Sequence, residues 1–461
     1  MEKKTFPLKI GLEVHGYLDT EEKLFCKCKT SFLESKPNSI ICPICTGQPG
    51  SKPMLPNQSA MDKLIKISLI LNCKINLDKD LIWQRKHYNW SDLPKGYQST
   101  ISGAYAVPVA VNGKFNGIRI TEAHLEEDPA QWNPETGGIN YNRSGLPLVE
   151  IVTEPDFTSS EQAITWLKSL VHSLSYIKAI RKNGGIKVDV NVSTYGERVE
   201  MKNLNSLNKI KKAIEYEIIR QVENYEKGII QTRDTLAFDE KLGKTIKMRS
   251  KEGAADYRFI QDPDLPVIKI DKKRVIKLKS EIPEMPSEKL KRLLKEYNIE
   301  KSDAEILIRN LELVDFFEEL SKQGIDMKKN ISWITIELLR VLNYNKKTLE
   351  DSDINVRPEH LAELISMIDK KELTVLKAKQ IMNDFIPNSF SLKEHKDEIL
   401  NIDETAIKNF CKKVIENNQH VVSQYREGNT QSINFLMGQV MRLSEKRANP
   451  NIVKEILKKL I

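Results

Sequence analysis

The chain has 461 residues, of which 40% are hydrophobic and 30% are charged. This composition is close to that of soluble globular proteins, so it excludes a wholly disordered chain and favours roughly two to four domains. No apolar run reaches the length of about 18 residues that spans a bilayer, and Met1–His15 lacks a signal-peptide core. We therefore expect a cytoplasmic protein without a membrane partner. The net charge of +8 suits a polyanionic partner, although it is modest for this length.

The first predicted strand carries two candidate catalytic side chains. In Gly11–His15, apolar and polar residues alternate. Leu12 and Val14 should therefore face the core, while Glu13 and His15 share the opposite face. Two potential ligands would then point into one cavity, and simple solvation of the pair is the alternative.

Two closely spaced pairs of cysteines follow, with thirteen residues between the pairs: Cys26, Cys28, Cys42 and Cys45. In a reducing compartment such pairs indicate metal binding before disulfide formation. Four thiolates can close a tetrahedral site, which predicts a structural zinc ion without an open position for chemistry. Ordinary buried or free thiols are the alternative. Cys73 and Cys411 lie outside the pattern and are expected to be small core residues.

Two adjacent basic residues, Arg85 and Lys86, precede the segment Asp92–Gln98. The chain has neither a Walker A loop nor a Gly-x-Gly-x-x-Gly turn that opens a helix, so an ATP site here would not be of the P-loop or Rossmann type. Basic side chains would have to hold the phosphates. Arg85 and Lys86 are the candidates, with a solvated surface as the alternative.

Acidic residues gather in two later segments. Glu126, Glu127 and Asp128 are consecutive and would repel one another without a counter-ion, which a divalent cation could supply. An exposed acidic turn is the alternative. Glu150 lies in an apolar strand, where an unpaired carboxylate is costly to bury. With His15, these acids offer the donors of a magnesium site that serves a nucleoside triphosphate.

Helical patterns interrupt the predicted strands in the first 290 residues, at Ser59–Leu71, Ser160–Ile177 and Leu207–Tyr225. The mixture predicts an α+β fold. Strand signals fade after Pro283 and Pro286, and amphipathic helices are predicted at Lys289–Tyr297, Asp303–Gln323, Trp333–Leu342 and Pro358–Ile368. A softer break at 387–396 precedes a small helical module that ends in the lysine-rich helix Asn451–Leu460. We therefore predict domains at 1–290, 291–395 and 396–461.

These segments, in this order and over nearly the whole chain, resemble the GatB family, the tRNA-binding subunits of the aspartyl/glutamyl-tRNA amidotransferase. Besides Ile10–His15 and the four cysteines, the resemblance runs through Asp92–Gln98, His124–Asp128, Pro147–Asp156, Asp189–Ser193, Glu200–Ser206, Met248–Ser250, Asp256–Arg258, Asp262–Pro266 and Phe435–Pro450. It implies a mixed α/β cradle domain with the zinc knuckle, then an all-α helical domain, then a small helical tail domain that grips tRNA.

In that family, ATP phosphorylates the side-chain carboxylate of Asp or Glu esterified to tRNA, and ammonia then converts the acyl phosphate into the amide. The resemblance therefore implies ATP and magnesium as cofactors and misacylated tRNA as substrate. The implied partners are an amidase subunit, which releases ammonia from glutamine, and a small bridging subunit. An aspartyl- or glutamyl-tRNA synthetase is a further candidate partner.

The resemblance also implies roles for individual residues. His15, Glu127 and Glu150 would hold a magnesium ion, while Glu13 and Glu126 would serve a second ion or orient the carboxylate. The pocket residues implied by matching segments are Asp189, Lys202, Asn203 and Arg249. The tail residues implied to contact tRNA phosphates are Arg442, Lys446 and Arg447, with a solvated helix face as the alternative.

Two other functions remain open from the sequence. One is the related subunit of the glutamate-only archaeal amidotransferase, which carries a large extra domain after the cradle; the short junction Asp264–Ser287 argues against it. The other is a catalytically inert tRNA-binding protein, against which the presence of His15, Glu127 and Glu150 argues.

Overall fold

A computed structural model describes residues 6–88, 90–181, 184–250, 258–395 and 402–461. The side chains of Arg249, Ser250 and His395 are not part of this description. The chain divides into two compact units, Met1–Met285 and Pro286–Ile461. A mixed sheet followed by helices confirms the predicted α+β class, whereas the division into three domains stays a prediction.

The first unit is built around a large mixed sheet. Its strands and those of a separate two-stranded sheet (β7 and β8) are Lys9–Tyr17 (β1), Lys74–Ile75 (β2), Gln84–His87 (β3), Tyr97–Thr100 (β4), Ala110–Phe115 (β5), Ile118–Glu127 (β6), Gln131–Trp132 (β7), Ile139–Asn140 (β8), Pro147–Thr153 (β9), Ile186–Ser193 (β10), Val199–Leu204 (β11), Asp234–Asp239 (β12), Lys244–Ser250 (β13) and Arg258–Gln261 (β14). Its helices are Gln58–Ile70 (α1), Ser160–Tyr176 (α2), Leu207–Glu226 (α3) and Lys272–Ser280 (α4).

Strand β1 lies in the middle of the sheet, whose order is β13-β12-β11-β10-β1-β9-β6-β4-β3-β14. It is antiparallel to both of its neighbours, β9 and β10. This register places His15 opposite Glu150 and Glu13 opposite Asp189. Across β6 and β9, His124 is also opposite Glu150. Chemistry-bearing side chains therefore meet at the centre of the sheet and not at an edge.

The two faces of β1 differ as the alternating sequence predicts. Leu12 and Val14 are each 1% exposed and belong to the main apolar core, whereas Glu13 and His15 remain partly accessible. Buried residues of α1, α2 and α3 join the same core. The side chains of Asn57, Ser159 and Ser206 accept a backbone N–H bond in the first turn of these helices, which explains where each helix begins.

The second unit is helical throughout its described residues. Its helices are Pro286–Tyr297 (α5), Lys301–Leu307 (α6), Leu311–Lys322 (α7), Met327–Asn330 (α8), Leu339–Tyr344 (α9), Pro358–Asp369 (α10), Val375–Asn383 (α11), Glu404–Asn417 (α12), Gln419–Arg426 (α13), Ser432–Leu443 (α14) and Pro450–Leu460 (α15). A π-helical segment, Trp333–Leu338, precedes α9, and a 3-10 turn spans Leu392–His395. The buried apolar residues form two clusters, within 293–392 and 407–457.

The prediction of one continuous helix over Asp303–Gln323 is wrong. The chain breaks between α6 and α7, and the side chain of Asn310 accepts a hydrogen bond from the backbone N–H of Leu313 to begin the second helix. Asparagine competes with helical backbone bonding and favours such an N-terminal position. The apolar periodicity continues through the break, so the hydrophobic pattern alone did not reveal it.

Within the described ranges, no helix is both long enough and apolar enough to cross a bilayer.

Candidate active site at the centre of the sheet

Three side chains form a ladder across adjacent strands. Glu150 on β9 lies between His15 on β1 and His124 on β6, and the antiparallel registers place each histidine directly opposite it. His15 Nδ1 lies 3.9 Å from Glu150 Oε2, and His124 Nε2 lies 3.2 Å from the same oxygen. The carboxylate that the sequence places in an apolar strand thus has two histidine partners.

Glu126 completes a cluster with this ladder. Its Oε1 lies 3.6 Å from His15 Nδ1, and one ligand atom from each of His15, Glu126 and Glu150 falls within 4.8 Å of the others. Ligands of an octahedral magnesium ion are separated by about 3 to 4.2 Å. The three donors are therefore close enough to share one cation after small side-chain rotations, and the two carboxylates are the kind of oxygen ligand that magnesium prefers.

A second group of potential ligands shares His15. Glu13, His15 and Asp189 also place one ligand atom each within 4.8 Å of one another. Glu13 Oε1 accepts a hydrogen bond of 3.0 Å from Asn191 Nδ2. Asp189 is buried and accepts bonds from Lys202 Nζ at 2.7 Å and from a backbone N–H at 2.8 Å.

The backbone N–H that binds Asp189 belongs to Asn203, whose φ is +59°. Its side chain is exposed. Lys202 also forms an ion pair with Glu200. Burial disfavours the charged form of Lys202, but Asp189 and Glu200 outweigh this effect and raise its pKa. Lys202 is therefore a firmly protonated cation beside the second group of ligands.

Neighbouring carboxylates raise the pKa of both histidines of the ladder. Burial lowers the pKa of His15, yet Glu150 and Glu126 outweigh it and raise that pKa to about 9. Burial also lowers the pKa of His124, and Glu150 and Glu122 raise it to about 10. Burial raises the pKa of Glu150, but His124 and His15 lower it below its ordinary value.

Glu13 behaves differently from Glu150. Burial, followed by repulsion from Glu150, raises the pKa of Glu13 above its ordinary value, and Lys202 compensates only in part. The site is thus crowded with carboxylates, and a bound cation would relieve the repulsion between them.

The structure separates the three consecutive acids and gives each its own partner. Glu126 contacts His15, Glu127 pairs with Lys95 and accepts a bond from the backbone N–H of Ser99, and Asp128 binds elsewhere. Among the described residues, Glu127 belongs to neither group of potential ligands. A cation shared by the three acids stays a prediction; in the structure Glu126 and Glu127, as successive residues of β6, point to opposite faces of the sheet.

Asp128 illustrates this separation. Its Oδ2 accepts a hydrogen bond of 2.7 Å from the hydroxyl of Tyr17 and lies 3.1 Å from Nε of Arg143. Both partners come from outside the metal-type clusters, so Asp128 ties neighbouring segments together.

The two predicted phosphate ligands on β3 occupy different surroundings. Arg85 forms ion pairs with Asp262 at 3.0 Å and Asp264 at 2.7 Å, and its guanidinium lies 4.4 Å from the centre of the Tyr97 ring. Lys86 lies near enough to Glu150 to lower its pKa. Lys86 thus lies near the carboxylate cluster, while Arg85 is already bound to two acids.

Three further neighbours of the site were missed in the sequence: His124, Glu122 and Lys95. Glu122, His124 and Glu126 occupy every second position of β6, and this spacing places them on one face of the strand. That alternation was the available signal. The pairing of Lys95, in the turn before β4, with Glu127 on β6 had no local signal.

The four clustered cysteines meet as the spacing predicts. One sulfur atom from each of Cys26, Cys28, Cys42 and Cys45 lies within 4.8 Å of the others. A tetrahedral zinc–thiolate site requires sulfur separations of roughly 3.8 Å, so the donor set fits zinc. Cys73 and Cys411 are buried, as expected for small core residues.

Several bonds attach this knuckle to the sheet. The buried Lys23 Nζ lies 3.5 Å from Cys45 Sγ and donates to the carbonyl of Ile40 at 3.2 Å. Contact with Cys26, together with the Lys23 ammonium, lowers the pKa of Cys45 to about 5. Ser144 Oγ donates to the Cys45 carbonyl at 2.6 Å. The knuckle is therefore anchored and carries at least one sulfur in the state that binds metal.

The predicted tRNA-contact residues lie at the end of α14 and in the following turn. Arg442 and Lys446 are exposed, and Arg447 is half-buried. The backbone carbonyl of Lys446 accepts a 2.7 Å bond from Thr374 Oγ1. Arg249 lies on β13, but its side chain is outside the described part, as are Asp256 and Tyr257.

Comparison with known proteins agrees with this geometry. Residues 8–276 match a family model described as the GatB/GatE catalytic domain, and residues 315–461 match one described as the GatB domain. The catalytic model covers the sheet and its carboxylate–histidine clusters.

Curated relatives match the chain from end to end. The GatB subunit of the aspartyl/glutamyl-tRNA(Asn/Gln) amidotransferase of Methanococcus aeolicus is 43% identical over 473 residues, with 99% of each chain covered. That of Methanothermobacter thermautotrophicus is 43% identical and covers 98% of this chain and 100% of its own. That of Methanocaldococcus jannaschii is 42% identical, with 98% and 97% covered. The resemblance found in the sequence is thereby confirmed: the chain belongs to the GatB family of aspartyl/glutamyl-tRNA(Asn/Gln) amidotransferase subunits.

Proposed function

We propose that this chain activates the side-chain carboxylate of Asp-tRNA(Asn) or Glu-tRNA(Gln) at the centre of its sheet. One carboxylate oxygen attacks the γ-phosphorus of ATP, the bond to the β–γ bridging oxygen breaks, and ADP leaves. Ammonia then attacks the acyl phosphate, and inorganic phosphate leaves as the amide forms. Activation is needed because a carboxylate is a poor electrophile, whereas phosphate is a good leaving group.

The cluster of His15, Glu126 and Glu150 is the observation that carries this proposal. These residues would hold a magnesium ion, which when bound would neutralise charge on the transferring phosphoryl group. Glu126 takes the place that the family resemblance suggested for Glu127, because Glu126 shares a strand face with His124 and lies beside His15.

Cationic side chains around the cluster suit a polyanionic nucleotide. Lys86 lies near Glu150, and Lys202 is a half-buried cation next to Asp189. We propose that both lysines orient phosphate oxygens and that Asp189 fixes the position of Lys202. Arg85 would act less directly, by holding Asp262 and Asp264 beside β3.

Glu13 and Asn191 are placed to bind the substrate end of the reaction. Glu13 is half-buried, its pKa is raised by burial, and Asn191 donates to it. A half-buried carboxyl group that an amide already orients can bond a polar group of the substrate. We propose that Glu13 orients that carboxylate.

The adjacent residues Glu126 and Glu127 offer a matched test of the assignment. Glu126→Gln should weaken Mn²⁺ binding at least tenfold and remove ATP hydrolysis that depends on misacylated tRNA, because it takes away one charged ligand. Glu127→Gln should leave Mn²⁺ affinity within about threefold. Electron paramagnetic resonance titration of free Mn²⁺ measures the affinity in the full-length chain.

The reverse result, with binding lost only in Glu127→Gln, would restore the ligand set that the family resemblance suggested. Undiminished ATP hydrolysis in both variants would place the chemistry elsewhere. Absence of ATP hydrolysis in the wild-type complex would instead favour the alternative of an inert tRNA-binding protein.

The substrate and partners follow from the same proposal. We propose that an amidase subunit supplies ammonia from glutamine, that a small bridging subunit joins it to this chain, and that a synthetase delivers the misacylated tRNA. Amide formation by the reconstituted complex, measured separately on Asp-tRNA(Asn) and Glu-tRNA(Gln), identifies the substrate. The related glutamate-only enzyme is not favoured, since the full-length relatives carry the name of the aspartyl/glutamyl enzyme.

We propose that the tail, 396–461, contacts tRNA phosphates through Arg442, Lys446 and Arg447. The double variant Arg442→Glu/Lys446→Glu changes two exposed charges and should weaken tRNA binding about tenfold, with a shallower salt dependence. Filter binding at several salt concentrations measures both quantities.

A matched control on the same module is Lys412→Glu/Lys413→Glu, which changes two exposed charges on α12. It should alter tRNA affinity less than about threefold, because salt screens the attraction between distant charges and tRNA phosphates. Only lysines and arginines in direct contact with the phosphates then contribute to binding. Equal losses in both double variants would mean that net charge, and not this surface, determines binding.

A further inference from the structure

His124 is a buried residue without an assigned role in the proposed reaction. It is 2% exposed and lies on β6, at one end of the ladder formed by β1, β9 and β6. Nε2 lies 3.2 Å from Glu150 Oε2, while Nδ1 lies 3.0 Å from Glu122 Oε1 in an ion-pair contact that lacks hydrogen-bond geometry. Both ring nitrogens therefore face carboxylates, which fixes the plane of the imidazole.

Glu122 is itself held in place on the far side of the ring. Ser102 Oγ, from the segment after β4, donates a hydrogen bond to the same Oε1 that contacts His124. A chain of polar contacts thus runs from Ser102 through Glu122 and His124 to Glu150. Its last member belongs to the proposed ligand set.

The contact with His124 limits how Glu150 can rotate. His124 and His15 both approach Oε2 of Glu150, but His124 is nearer, at 3.2 Å against 3.9 Å. His15 would have to turn toward a cation, whereas the bond from His124 can persist. A carboxylate held at one oxygen loses less side-chain entropy when its group binds an ion.

We infer that His124 is a positioning residue for the divalent-cation site, where it orients Glu150 through a hydrogen bond that Glu122 supports. This inference rests on the proposed function, because it concerns the cation held by His15, Glu126 and Glu150. A merely structural histidine would affect the melting temperature without changing metal affinity.

Three replacements separate these two roles. Gln places a donor near the position of Nε2, Asn places one near Nδ1, and Met keeps the size without a donor. We expect His124→Gln to bind Mn²⁺ within about fivefold of wild type. His124→Met and His124→Asn should bind about 10- to 100-fold more weakly, the usual effect of removing a residue that orients a metal ligand.

Mn²⁺ affinity is measured by electron paramagnetic resonance on the full-length chain, together with the melting temperature of each variant. In the reconstituted complex, His124→Met should raise the Mg²⁺ concentration for half-maximal amidation by a similar factor. Saturating Mg²⁺ should restore most of kcat. If His124→Met fails to fold, Glu122→Gln replaces it, with an expected loss of about threefold in Mn²⁺ affinity.

The outcomes distinguish the positioning role of His124 from the proposed cation site on which it rests. If wild type binds Mn²⁺ and Glu126→Gln does not, but folded His124→Met and Glu122→Gln bind as tightly as wild type, the positioning role is wrong. Equal losses of Mn²⁺ affinity in His124→Gln, His124→Asn and His124→Met would also contradict the positioning role. If wild type itself fails to bind Mn²⁺ in the presence or absence of ATP, the proposed cation site fails.

Discussion

Glu150→Gln should lower the rate of ATP-dependent amidation of misacylated tRNA about 1000-fold, equivalent to about 4 kcal/mol of transition-state stabilisation. Glutamine keeps the size of the side chain but removes the charge that faces both His15 and His124. A cation site would lose an anionic ligand and the charge that attracts the ion. The measurement is the initial rate of amide formation in the reconstituted complex.

Glu154→Gln is the matched control, since Glu154 is the residue immediately after β9, the strand that carries Glu150. Its carboxylate accepts a 2.8 Å bond from Thr121 Oγ1 at the surface. This variant should retain the wild-type rate within about threefold. Comparable rates for Glu150→Gln and Glu154→Gln would show that Glu150 has no part in the chemistry.

Cys45→Ser should remove the zinc ion from the knuckle and lower the melting temperature of the first unit by roughly 5 to 10 °C. The serine hydroxyl is not a thiolate and cannot replace the fourth ligand. The loss should be large because the bonds from Lys23 and Ser144 position Cys45 at the base of the knuckle. Metal content per chain and thermal unfolding followed by circular dichroism measure both effects.

Cys73→Ser provides the comparison, because Cys73 is buried in the same unit but lies outside the four-cysteine cluster. It should keep one zinc ion per chain even if burial of a hydroxyl costs about 1 kcal/mol. A full complement of zinc in Cys45→Ser would overturn the assignment of the knuckle as a zinc site.

The β1 strand shows how much of the site local sequence could predict. Strict alternation over a few residues placed Glu13 and His15 on one face and Leu12 and Val14 on the other, and the structure has this arrangement. Alternation works here because the strand is buried on one side only. The cysteine cluster was predictable for a similar reason, since zinc ligands come from short local pairs.

Partners from distant strands could not be read in the same way. Three consecutive acids suggested a common cation, but adjacent residues of a strand point to opposite faces, and Lys95 and Arg143 reach two of them from elsewhere. The family resemblance supplied the set of residues, whereas the strand registers supplied their neighbours. His124 was missed because its importance depends on Glu150, a residue on another strand.

In the second unit, apolar periodicity predicted where most helices lie but did not predict where a polar side chain begins a new helix. Apolar periodicity located most helices to within a few residues, including Pro358–Asp369 and Pro450–Leu460. It failed at Asn310, where a polar side chain bonds to the backbone and begins a new helix. Capping is a local chemical event that leaves the hydrophobic repeat unchanged.

The central position of β1 has a consequence for how the protein is made. Both partners of this strand are distant in sequence: β9 begins at Pro147 and β10 at Ile186. During translation β1 therefore emerges from the ribosome well before either partner exists, and it cannot pair with both until about a third of the chain has followed. The apolar face of β1 must stay free of aggregation throughout that interval, so slow synthesis or premature termination in this region should engage chaperones.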